Sequence, residues 1–309
     1  MRIFHRFAVL LFVAAVPGPA TARPAHAIAH GQNAGDGAYR FSALLTMTGL
    51  PTAEGGSRDS SCSGALVAPR WVITAGHCFR DAAGRRVSRP VADRTVATIG
   101  RADLTGSGGH RVEVVAVRQA GIADVALAEL ASAITDIEPL RVAAAPPAVG
   151  EVVRLTGYGL TLDGTPADRL QTGQFVVEAV GDTVVETSGR APRRDTSPCP
   201  HDSGGPYFRQ RSNAAPVLVA VVSTGPGCPH PGPESSARTD NLHGWITRTV
   251  ADEGAGRGRR ALLVAGLAGL PALAALLATL LLARRRRAAM PRRGVRRDLS
   301  RRPPVRPSR

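Results

Sequence analysis

The 309-residue chain is 43% hydrophobic, enough to bury a core and too apolar for a disordered protein. Its formal charge of +15 would point to nucleic acid, but twelve Arg and one Asp lie in residues 284–309 and six further Arg lie before residue 28 or in 257–260. Residues 28–256 hold 21 Arg against 23 acidic residues, a body near −2, which excludes a basic nucleic-acid-binding face.

Arg2 and Arg6 precede a ten-residue apolar run, Phe7–Val16, and then small and polar residues, the layout of a secretory signal peptide. Ten residues are too few to span a bilayer. Two small-x-small sequences, Ala20-Thr21-Ala22 and Ala25-His26-Ala27, place the cut after residue 22 or 27, so residues 1–27 read as the signal region. From residue 39 to 242, apolar runs of five to eight residues recur between Gly, Pro, Asp and Ser clusters, among them FSALLTM, RWVITA, RVEVVAV, GQFVVEAV and PVLVAVVSTG. That spacing predicts an all-β body of antiparallel strands in a barrel or sandwich. WITRTVADEG, from Trp245, reads as a short helix, and residues 252–260 as a linker.

Ala261–Ala283 is free of charge over 23 residues, about 35 Å as a helix against a hydrocarbon core of about 30 Å. Ten of its residues are Leu, which outweigh Gly266, Gly269 and Pro271, so it reads as a single transmembrane helix. The Arg-rich tail, 284–309, then marks the cytoplasmic side and a surface for lipid headgroups. With a cleaved signal peptide this puts the body outside the cell membrane, close to the bilayer. Four cysteines in an exported protein read as two disulfides, with three connectivities open.

Three segments carry chemistry: SCSGALVAPRWVITAGHCF, DVALAEL and CPHDSGGP, in that order. Together they resemble the catalytic segments of the trypsin/chymotrypsin serine protease family, in a bacterial-type form, over about residues 28–251. The resemblance implies two packed antiparallel β-barrels with a short C-terminal helix. It implies Ser203 as nucleophile, His77 as its base and Asp124 as the carboxylate that orients the base. A serine hydroxyl alone is a poor nucleophile, which is why a base and an orienting group are needed.

The resemblance also pairs Cys62 with Cys78 and Cys199 with Cys228. It gives the oxyanion donors as the backbone N–H groups of His201 and Ser203, and it matches Ser223 to a buttress of the aspartate and Gly225 and Gly227 to the rim of the specificity pocket. Ile28, in IAHG, resembles the mature amino terminus of the family, with Asp202 as its partner. Ala27 precedes it and ends one of the two signal-peptidase sites, so export itself is expected to create that terminus.

Three positions depart from the family. His201 stands where glycine is usual in the oxyanion loop, His30 where glycine is usual near the amino terminus, and Thr224 where the pocket rim is usually aromatic. Two readings of the specificity pocket stay open: Ser197 at its base implies an apolar or mixed preference, whereas Glu234 on its wall implies selection of Arg or Lys. The function expected is a serine endopeptidase acting on polypeptides through an acyl-enzyme, with no metal and no organic cofactor. The alternative is a catalytically weak module of the same fold that binds partners at the cell surface.

Overall fold

The computed structural model describes residues 27–252, 280–282 and 284. The expected signal region before Ala27, most of the expected span 261–283 and the tail beyond Arg284 lie outside the described residues. Residues 280–282 and 284 are helical, with Leu280, Leu281 and Leu282 exposed. Among the described residues no helix is long and apolar enough to cross a membrane.

Among the described residues fourteen strands run in the order β1 (Gln32–Asn33), β2 (Ser42–Pro51), β3 (Ser57–Ala68), β4 (Trp71–Thr74), β5 (Arg94–Ile99), β6 (His110–Gln119), β7 (Ala126–Leu130), β8 (Arg141–Val142), β9 (Val152–Gly157), β10 (Gln171–Val180), β11 (Val184–Ala191), β12 (Pro206–Arg211), β13 (Ala214–Thr224) and β14 (Glu234–Arg238). The first barrel closes in the order β2-β3-β4-β7-β6-β5, with β5 returning to β2. The second follows β10-β11-β14-β13-β12-β9 and closes where β9 pairs with β10; the short β1 and β8 attach to β10 and β13.

Strand alternation builds each interior. In β2, Ala43, Leu45 and Met47 are buried while Thr46 and Thr48 are exposed, the period of two that sends one face into the barrel. Each fully buried Leu or Met side chain contributes about 1.5–3 kcal/mol. The second barrel has its own core of Val153, Leu155, Phe175, Val177, Val185 and Tyr207, which also takes in Ile28. Between the barrels Phe41 meets Phe208 edge-on, with ring centroids 5.2 Å apart. Phe208 and Leu218 of the second barrel belong to the first barrel's core, so one apolar seam joins the two. Residues 243–252 form a helix, and its Ile246 is buried in that same core.

Candidate active site

His77 sits on a 3-10 turn, Gly76–Phe79, directly after β4. The turn is stapled to β3 by the Cys62–Cys78 disulfide. A Cβ on Gly76 would lie 2.5 Å from Gln119 Oε1, the movable end of a flexible side chain, so glycine eases the packing of this turn. Asp124 lies just before β7, the neighbour of β4, and so faces the His77 turn. Its Oδ1 accepts the His77 backbone N–H at 2.8 Å, and its Oδ2 is 2.6 Å from His77 Nδ1. Ser223 Oγ donates to the same Oδ2 at 2.7 Å, and Arg86 Nη1 lies 3.7 Å from Oδ1. Burial pushes the Asp124 pKa up, but the His77 hydrogen bond and charge and the Ser223 hydroxyl outweigh it and hold the carboxyl at about 2. The imidazole is thereby fixed with Nδ1 protonated and Nε2 directed away from the carboxylate.

Ser203 lies on the loop between Cys199 and β12, which the Cys199–Cys228 disulfide ties to the segment after β13. Both disulfides are those the family resemblance implies. The two glycines after Ser203 have steric reasons: Gly204 has φ 82° and a Cβ there would lie 2.0 Å from Thr74 Oγ1, while a Cβ on Gly205 would lie 2.8 Å from the Thr156 carbonyl. Ser203 borders a cleft of about 350 Å³ whose walls include Ser223, Gly225, Gly227 and Glu234. No hydrogen bond joins the His77 ring to the Ser203 hydroxyl; such contacts are often long before substrate arrives.

The N–H groups of His201 and Ser203 take no acceptor among the described residues, whereas those of Asp202 and Gly204 donate to Cys199 O and Val222 O. His201 adopts φ 76°, the left-handed conformation that glycine takes freely and that costs another residue about 1–2 kcal/mol. A β-carbon therefore does not exclude this conformation here. His30 does the same, with φ 54°. Thr224 is exposed on the cleft wall, which leaves the rim open where an aromatic ring would cover it.

The two readings of the pocket separate in space. Ser197 is buried, with its Oγ accepting the His230 N–H at 3.2 Å, and it does not border the cleft. Glu234 does border it, at the start of β14, with Oε1 accepting from the Tyr207 hydroxyl and from Thr187 Oγ1. Burial pushes the Glu234 pKa up to about 8 against those hydrogen bonds, and the Asp202 charge raises it further. Gly225 keeps this wall open, since a Cβ would approach the Glu234 Cβ to 3.1 Å.

Asp202 is fully buried, accepting N–H groups from Cys199 and Gly159, each at 2.9 Å. Burial pushes its pKa up to about 7, partly offset by those two bonds. Several of these partners escape the sequence reading. Arg86, Tyr207 and Gly159 carry no motif of their own. Among the described residues no group of three or more His, Cys, Asp or Glu is placed to hold a metal ion.

A family model described as Trypsin matches residues 28–246. The chain belongs to the trypsin family of serine proteases. It is 27% identical over 264 residues to mouse Serine protease 56, covering 76% of this chain and 40% of that protein. It is 26% identical over 265 residues to human Chymotrypsin-like elastase family member 3B, covering 79% and 96%. It is 27% identical over 252 residues to mouse Transmembrane protease serine 11C, covering 72% and 53%. These relatives are mammalian, so they give no support to the bacterial-type character read from the sequence.

Proposed function

We propose that this member of the trypsin family is an active endopeptidase that hydrolyses polypeptides through an acyl-enzyme on Ser203. The observation that carries the proposal is the Asp124–His77 pair, 2.6 Å apart, set beside a cleft that Ser203 borders. His77 Nε2 takes the Ser203 proton as Oγ attacks the carbonyl carbon, and returns it to the leaving amine. Asp124 stays ionised and stabilises the imidazolium, and the His201 and Ser203 N–H groups stabilise the oxyanion. Water, deprotonated by His77, then releases the acyl group. The expected result with a fluorophosphonate is covalent labelling of the folded chain that vanishes in Ser203→Ala. A folded wild type that remains unlabelled favours the surface-displayed binding module instead.

The cleft supports a preference for Arg or Lys before the scissile bond. Glu234 is a buried carboxylate without a cationic neighbour among the described residues, and a substrate cation would hold it ionised. Removing one partner of such a buried charge pair costs roughly 2–5 kcal/mol, or about 30- to 4,000-fold in rate. Glu234→Gln is therefore expected to lower kcat/KM by that factor for peptides with Arg at this position, and far less for those with Leu. Equal losses on both substrates would return the selection to another group.

The membrane anchor belongs to the same proposal. The apolar run 261–283 and the Arg-rich tail after it support a catalytic domain outside the cell, tethered by one span.

A further inference from the structure

His201 differs from a glycine by more than a tolerated β-carbon, because its side chain reaches across the seam between the barrels. Nδ1 accepts the Ser61 backbone N–H at 3.2 Å and lies 2.7 Å from Ser61 Oγ. Ser61 belongs to β3 of the first barrel, whereas residues 201–203 belong to the loop leading into β12 of the second. Two positions along β3, Ser63 binds the same loop by its backbone: its Oγ donates to the His201 carbonyl at 3.2 Å and its N–H donates to the Ser203 carbonyl at 2.9 Å. Ser61 and Ser63 share a face of the strand because side chains alternate with a period of two. The loop that carries the candidate oxyanion N–H is therefore gripped from β3 at a side chain and at two carbonyls.

We propose that the His201 imidazole is a positioning residue, anchored on Ser61, that holds the 201 backbone in the left-handed conformation from which its N–H serves the oxyanion. A glycine at this place has the conformation at no steric cost, so the histidine supplies through its anchor what glycine supplies through freedom. The accepting Nδ1 requires a neutral ring. Burial and the nearby Arg58 charge push the His201 pKa down, in keeping with that state. The imidazole does not touch the reacting atoms; it acts through the backbone.

The inference rests on the proposed acyl-enzyme chemistry, and the test separates the two. Full-length wild type, His201→Ala, His201→Gly and Ser61→Ala are compared for Ser203 labelling by a fluorophosphonate and for kcat and KM on a peptide amide, with thermal unfolding as the check on folding. Losing one oxyanion donor lowers turnover by about 10²–10³. His201→Ala, which keeps the β-carbon and loses the anchor, is expected to fall in kcat by that factor with KM little changed. His201→Gly is expected to recover at least about tenfold of that loss, a rescue that a merely structural role would not give. Ser61→Ala removes only the hydroxyl contact and keeps the backbone one, and is expected to lower kcat several-fold; it also serves if His201→Ala fails to fold. If the wild type does not label, the enzymatic reading fails. If the wild type labels but Ala and Gly at 201 behave alike, or Ser61→Ala turns over as wild type does, the anchor is refuted.

Discussion

Replacing Asp124 with Asn is expected to lower kcat by about 10⁴ while leaving the barrels folded. The size follows from the hydrogen bonds at this carboxylate, all of which it accepts: the His77 N–H at Oδ1, and His77 Nδ1 and the Ser223 hydroxyl at Oδ2. An asparagine offers one acceptor and one donor in place of two acceptors. With its oxygen on the His77 N–H, its amide group faces Nδ1 and drives the ring proton to Nε2. The ring then presents an N–H to Ser203 and cannot take the serine's proton. Turned the other way, the amide group faces the His77 N–H, and the turn that carries the base is pushed off. Because the carboxyl is held at about 2, Asp124 itself stays ionised at every pH above about 4. It stabilises the fold there, and that contribution is lost only as pH falls from about 4 through about 2. The measurement is kcat on a peptide substrate, with thermal unfolding confirming the fold. A kcat within tenfold of wild type would remove Asp124 from the mechanism.

The parts of this site that the sequence makes legible are those in which one residue type answers a local steric demand. DSGG is readable because Gly204 and Gly205 sit where no Cβ fits, so the string stays together on one turn. The longer strands announce themselves as apolar runs between turn-forming residues, with alternation plain in β2, whereas β1 and β8, two residues each, are too short to show a period. The two-barrel arrangement comes from the family resemblance, since alternation alone serves a sandwich equally well. What stays hidden is contact across long separations. The His201–Ser61 bond joins residues 140 apart, and nothing near either one signals the other. The place of Glu234 depends on the register of β14, which counting through PHPGPESS cannot fix. The pairing of Thr187 with Glu234 across β11 and β14 fixes it, and sets the carboxylate into the cleft wall.

A chain that begins at Ile28 is expected to be more stable and more active at neutral pH than one that begins at Arg23, and the stability difference is expected to shrink as pH falls from about 7. The reason is the isolation of Asp202. Gly157 and Gly159 press so closely that a Cβ on either would lie 2.0 or 2.6 Å from its carboxyl group, leaving no space for a large cationic side chain. Two N–H donors offset only part of the burial, which leaves the folded pKa at about 7 against 3.8 for the free group. The folded chain thus holds a proton that the unfolded chain releases between those values. Stability falls as pH rises from about 4 to 7, by on the order of 4 kcal/mol in all. That is a large share of the 5–15 kcal/mol by which domains are usually stable.

A freed α-ammonium on Ile28 would supply the missing cation. Ile28 is itself buried in the second barrel's core, and the next residue, Ala29, donates its N–H at 2.9 Å to the carbonyl of Ser197, six residues before Ser203. The terminus and the nucleophile loop are therefore already joined, and pairing at Asp202 would draw the loop toward one ionised arrangement. Glu234, with its pKa near 8, adds a slope of the same sign in both forms. The measurement is the unfolding free energy of the two full-length forms from pH 3 to 8, alongside kcat. Asp202→Asn in the Arg23 form should flatten its pH dependence between about 4 and 7. Parallel pH profiles for the Ile28 and Arg23 forms would show that the amino group never reaches Asp202, and the loop around Ser203 would have to be competent without it.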